Sequence, residues 1–153
     1  MQEAKKADPF ESEAAVERFK SFYRDLIHAE WAELDAIYAE HVSFKDPVHS
    51  INGRDALHRY LQSLCRGLSS CRFVYLDQVV TPGKAYIKWD MHFQHPNVQA
   101  NAALTLRGTS QILFSDDRIH YHEDFYDMGA LLYERLPLLG AVIRWLRRRL
   151  AEK

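Results

Sequence analysis

Residues 38–57 read YAEHVSFKDPVHSINGRDAL. Val42, Phe44 and Asp46 alternate with Ser43 and Lys45, the two-residue period that sends successive side chains to opposite faces of a strand. Pro47 has no amide hydrogen with which to continue a ladder, so the strand ends there. VHSING reads as a loop, and from Arg54 the pattern changes: Leu57, Tyr60, Leu61 and Leu64 recur at three- and four-residue steps, which predicts a helix over 54–68.

On the N-terminal side, Val16, Phe19, Phe22, Tyr23, Leu26 and Ile27 share helical spacing and predict a helix from Glu13 to His28. A shorter helix is expected through Trp31, Leu34, Ile37 and Tyr38, and residues 1–12 read as a flexible leader. On the C-terminal side the period becomes two over 71–81, 84–94, 102–115 and 118–127, with turn signals at Pro82-Gly83, His95-Pro96-Asn97 and Ser115-Asp116-Asp117. Helices followed by hairpin-linked strands predict an α+β domain over 13–127, with helices on one face of a curved antiparallel sheet.

Composition narrows the functional classes. Twenty Lys plus Arg against 21 Asp plus Glu give a formal charge of -1, so no basic field draws the chain onto nucleic acid. No apolar run approaches the roughly 18 residues of a membrane span, and none follows the N-terminal lysines as a signal peptide requires. Cys65 and Cys71 make no disulfide framework, and a reducing, cytoplasmic setting is expected. Among the eight His, His120 and His122 share a strand face but stand about 7 Å apart along it. His92 should project from the opposite face of its own strand, so no metal site and no cofactor are expected.

Residues 128–153 form a separate extension, helical in spacing but interrupted by Pro137 and Gly140. Residues 129–153 hold six basic and two acidic groups, a net of +4. The extension is expected to pack Leu131, Leu132, Leu136, Val142 and Leu146 onto the domain with its arginines solvated, which also suits the helix dipole. The alternative is peripheral contact with an anionic membrane surface, or docking on a partner, through residues 141–153.

The order of elements, with Tyr38-Ala39-Glu40, Val42 to Pro47, Ile51 to Leu57, and Arg118-Ile119 through Asp124-Phe125-Tyr126-Asp127, resembles the nuclear transport factor 2-like superfamily and its SnoaL-like and ketosteroid isomerase group. The resemblance spans about residues 14–127. It implies a cone-shaped, cystatin-like curved sheet wrapped around the N-terminal helices, a small hydrophobic ligand in the open end of the cone, and a homodimer through the outer sheet face. It specifies fold more closely than activity, because the group holds isomerases, cyclases, hydrolases and binders without chemistry.

Asp46 matches the isomerase's proton-abstracting Asp, and a desolvated carboxylate there is expected to have a raised pKa suited to a general base. An Asp before Pro equally suits hydrogen bonding to the backbone that follows. Matching the first helix puts Phe22 where the isomerase has its oxyanion Tyr, with Tyr23 adjacent, and Ser110 where it has a protonated Asp. Phe cannot donate and a hydroxyl is a weaker donor than a carboxylic acid, so steroid isomerisation itself is not expected.

Strand alternation sends Ile87, Trp89, Met91 and Phe93 inward, puts Leu104 through Phe114 at even numbers on one face, and groups His120, His122, Asp124 and Tyr126 against Ile119. His122 and Asp124 are candidate acid/base partners of Asp46, or else satisfy each other in a buried polar network. Trp89, Tyr60 and Tyr126 are candidates to stack on a flat ligand, with His49 at the pocket edge.

Overall fold

The computed structural model describes residues 9–96, 102–131 and 137–151. The first helix, α1 (Pro9–Arg24), buries Ser12, Ala15, Val16, Phe19, Phe22 and Tyr23, one face at helical spacing. It begins at Pro9, ahead of the Glu13 that apolar spacing predicts; proline suits a first helical turn because its missing amide hydrogen is not needed there. Residues 9–12 are therefore helix, not leader.

Two short turns, Leu26–His28 and Trp31–Glu33, lead into α2 (Leu34–Ile37), then β1 (Tyr38–Lys45) and β2 (Ser50–Asn52). Tyr38 opens the strand and does not close the helix. Next come α3 (Arg54–Arg66), β3 (Ser70–Thr81), β4 (Lys84–Gln94), β5 (Leu104–Ser115), β6 (Arg118–Tyr126), α4 (Met128–Leu131) and α5 (Pro137–Ala151).

The six strands form one open sheet in the order β2-β1-β6-β5-β4-β3. The sheet is mixed, a correction to the purely antiparallel expectation: β1 runs parallel to β6, a pairing that the long connection through α3 and the four strands β2 to β5 allows. All other neighbours are antiparallel. α1 lies across β3 and α3 across β1, enclosing a core in which Val16, Leu57, Ile87, Ile112 and Ile119 are fully buried.

Two glycines decide local geometry. Gly53 has φ +93, a region β-carbons disfavour, and its amide returns to the Val42 carbonyl at 2.8 Å. That contact turns the loop after β2 into α3 against β1. At Gly108 a β-carbon would stand 2.3 Å from the Trp89 ring, so β5 offers a bare backbone on which the indole rests.

Inward alternation on β4 and β5 is as predicted: Ile87, Trp89 and Phe93 are buried and Met91 is half-buried on the same face, and Leu104, Leu106, Gly108, Ser110, Ile112 and Phe114 are buried. On β6 it breaks. Leu113 pairs with Tyr121 but Phe114 pairs with Ile119, so His120 is an extra residue bulged from the ladder. Ile119 and His122 are both buried, and His120 does not share the inward face of His122 as strict alternation required.

α5 also departs from expectation. Val142 and Leu146 are exposed and do not pack onto the domain. Leu132 and Leu136 lie outside the described residues, as does the side chain of Leu131. Among the described residues no helix is long and apolar enough to cross a membrane.

The fit of Trp89 on Gly108 generates a test. The ring cannot swing away without breaking its 2.8 Å bond to Ser110, so Gly108→Ala is expected to lower unfolding stability by roughly 1–3 kcal/mol, the usual range for overpacking. Urea denaturation measures it, and an unchanged midpoint would show that the indole is not fixed.

Candidate functional site

β1, β4, β5 and β6 bring their inward residues together with Tyr23 of α1 and Tyr60 of α3 around a cavity of about 90 Å3. Its wall is mostly apolar, with Phe44, Leu61, Phe73, Trp89, Met91 and Leu106, and two carboxylates interrupt it: Asp46 and Asp124. Larger surface hollows of about 460 Å3, one beside Trp31 and Cys65 and one beside Lys20 and Arg72, have no carboxylate in their walls among the described residues.

The two carboxylates are held differently. Oδ1 of Asp46 accepts the backbone N–H groups of Val48 and His49 at 2.8 and 2.6 Å and lies 3.1 Å from the His49 ring nitrogen. Its Oδ2 accepts the Tyr60 hydroxyl at 2.7 Å. This is the turn-forming geometry available to an Asp before Pro. Burial alone would raise the Asp46 pKa, but the bonds from Tyr60, the two amides and His49 outweigh it and lower the value below the ordinary range. The expected raised pKa is thus overturned, because donors crowd both oxygens.

Asp124 has a different environment. Its Oδ1 accepts the Ser110 hydroxyl at 2.5 Å and pairs with His122 Nε2 at 2.8 Å. Its Oδ2 makes no hydrogen bond to any described residue. Trp89 Nε1 donates to Ser110 Oγ at 2.8 Å. Behind His122, Nδ1 lies 2.8 Å from the Tyr38 hydroxyl, which lies 2.8 Å from the Tyr23 hydroxyl. The set is satisfied with Nε2–H donated to the carboxylate, Nδ1 accepting from Tyr38, and Tyr38 accepting from Tyr23. Burial raises the pKa of both tyrosines, so these hydroxyls keep their protons.

His122 is 1% exposed and ringed by Phe19, Tyr23, Tyr38 and Phe44. It does not line the main cavity but reaches it through Asp124. A crevice of about 10 Å3 between Tyr23, Ser110, His122 and Asp124 has single-water size. Tyr126 lines the main cavity, and its hydroxyl bonds no described residue. Burial, and then the charges of Asp46 and Asp124, raise its pKa, leaving a protonated donor. His49 stands at the edge, half-exposed, with its ring 4.8 Å from that of Tyr60.

Of the sequence candidates, Asp46, Tyr60, Trp89, Asp124 and Tyr126 line one cavity; Ser110 and His122 connect to it through Asp124 and His49 through Asp46 and Tyr60, whereas Phe22 has no such link. It packs on Tyr23 and Trp31 in the core and does not line the cavity, because one helical step turns it away; Tyr23 takes the inward place. Tyr38 was missed, although its even-numbered step to Val42 and Phe44 was a readable signal. Among the described residues no three His, Cys, Asp or Glu are grouped to hold a metal ion.

The donors on Asp46 generate a pH test. A folded pKa below the unfolded value of about 4 contributes stability that is present above that pH and lost as pH falls through the folded pKa. The gap in Tm between wild type and Asp46→Asn is expected to be widest near neutrality and to close on acidification. A gap constant through the acid range would show that these bonds do not favour the charged form.

The architecture matches known structures. A SnoaL-like polyketide cyclase candidate from Jannaschia Sp. CCS1 superposes with a TM-score of 0.70 at 8% identity, covering 86% of this chain and 94% of its own. An NTF2-like protein of unknown function from Burkholderia pseudomallei K96243 gives 0.68 at 13%, covering 77% and 94%. A hypothetical protein with a ketosteroid isomerase-like fold from Catenulispora acidiphila DSM 44928, in complex with trimethylamine, gives 0.67 at 9%, covering 77% and 88%. At these identities the likeness concerns fold. No curated protein matches the sequence. A family model for the SnoaL-like domain matches residues 19–122, from the middle of α1 to the buried His of β6, and the chain belongs to that family.

Proposed function

We propose that the protein performs cofactor-independent acid/base chemistry on a small hydrophobic cyclic substrate. The observation that carries this reading is the contrast between the carboxylates: Asp46 has donors on both oxygens, whereas Asp124 keeps Oδ2 open beside an apolar wall. Asp124 is the base, Tyr126 the donor to a substrate oxygen, and His122 the positioning residue that holds the Asp124 carboxylate through its Oδ1. Asp46 shapes the mouth together with Tyr60 and His49, and Trp89 provides the flat wall.

The reaction class is proton removal from a carbon next to a carbonyl. The C–H electron pair moves into the enolate, the proton passes to Asp124 Oδ2, and Tyr126 O–H stabilises the oxyanion; return of the proton to another carbon completes an isomerisation, whereas attack of the enolate carbon on a second carbonyl of the same substrate opens that C=O π bond, closes a ring through the new C–C bond, and leaves an alkoxide that takes the proton from Asp124. A cavity of about 90 Å3 admits roughly one ring and is well below the ~300 Å3 of drug-sized sites, so larger substrates would protrude through the mouth.

The test is deuterium exchange at the α-carbon of small cyclic ketones and enones in D2O, followed by proton NMR. Wild type is expected to accelerate exchange, and Asp124→Asn and Tyr126→Phe to slow it by about a hundredfold or more. Asp46→Asn, assayed while folded, should retain it. Binding of these compounds without accelerated exchange would favour the second reading, a non-catalytic small-molecule binder.

We also infer a homodimer through the outer sheet face, where Val74, Leu76, Val79 and Tyr86 are exposed. Light scattering on the eluting protein should give twice the chain mass of 17.9 kDa, and Val79→Asp should give the monomer. A monomeric wild type at high concentration overturns this.

A further inference from the structure

α5 carries four arginines, Arg144, Arg147, Arg148 and Arg149, and no acidic residue over its fifteen positions. Ile143 is partly buried and Arg147 reaches back to Asp127, which fixes the edge that the helix presents to the domain. Four large apolar residues of the helix are nevertheless exposed: Val142, Trp145, Leu146 and Leu150, at 53, 49, 46 and 71%. Val142, Leu146 and Leu150 follow one another at four-residue steps, one ridge of a helix, and the indole lies beside it. The Arg149 guanidinium lies over the Trp145 ring at 5.2 Å, a cation–π contact that puts a positive charge directly beside the apolar ridge.

We propose that α5 is a peripheral docking surface for an anionic phospholipid bilayer. An apolar ridge, an indole and a purely basic polar side stacked at one level fit a surface whose anionic headgroups and acyl chains are likewise adjacent layers. An acidic protein partner would use the arginines but leave the ridge unburied. The helix is about 22 Å long and interrupted by charge, which suits lying in the interface and not crossing it. This inference is independent of the chemistry proposed for the cavity.

The test is cosedimentation of the full chain with vesicles of phosphatidylcholine, alone or mixed with phosphatidylglycerol. Binding is expected to the mixed vesicles, to be weak on phosphatidylcholine alone, and to fall as salt is added. Trp145→Ala with Leu146→Ala, and Arg148→Glu with Arg149→Glu, should each weaken binding by about tenfold or more. All four positions are exposed, so unchanged circular dichroism and Tm would show that the losses are not unfolding. No binding of wild type to mixed vesicles at low salt, equal binding to both vesicle types, or double variants that bind like wild type would each overturn the proposal. Binding of polyglutamate without vesicle binding would overturn it in favour of an acidic partner.

Discussion

The interior depends on one hydrogen-bonded chain: Trp89 to Ser110, Ser110 to Asp124, Asp124 to His122, His122 to Tyr38 and Tyr38 to Tyr23. It passes through β4, β5, β6, β1 and α1 in turn. A buried polar group without a partner costs about 1–3 kcal/mol, more if charged, so each link constrains the next. The parallel pairing of β1 with β6 brings Tyr38 to His122. The bare backbone at Gly108 lets Trp89 lie flat enough to reach Ser110. The strand pairings and the polar chain thus impose the same geometry.

How far the sequence discloses this is a matter of periods. On β4 and β5 the two-residue period survives unbroken, so Trp89 and Ser110 are legible as inward residues from position alone. On β6 the bulge at His120 adds one residue, and strict alternation correctly puts His122 and Asp124 inside yet misplaces His120 and Ile119. Nothing in the residue types at 118–121 announces the bulge; it arises from the pairing with β5. The Phe22 error has the opposite origin. An ungapped match fixes helix position to one residue, and one residue on a helix is a rotation of about 100 degrees, enough to exchange Phe22 for Tyr23. The donors on Asp46 were only half legible, because Pro47 signals a turn whereas Tyr60 lies on a helix fourteen residues away.

Two carboxylates facing one cavity illustrate how environment assigns roles to identical chemistry. Asp46 ends a strand, where free amides of the following turn converge on it. Hydrogen bonds to the charged form lower its pKa and make it a hydrogen-bond acceptor first. Asp124 lies within a strand whose amides are engaged in the ladder, so its oxygens meet only side chains. Both donors fall on the same oxygen. The difference follows from position along a strand: ends recruit backbone donors, and middles do not.

α5 marks the limit of periodicity. A helix whose apolar residues recur at three- and four-residue steps must place them against something, but the period is the same whether that is a domain core, a second protein or a lipid surface. The arrangement of charge narrows the choice. In a helix packed on its own domain, ion pairs with that domain would take up the basic side while the apolar side is covered. Here the order is inverted: Arg147 pairs with Asp127 at the domain edge, and the ridge of Val142, Leu146 and Leu150 faces outward. A helix anchored by its charged edge with its apolar ridge exposed is suited to a second surface, and the exposed Arg148 and Arg149 select one that is anionic.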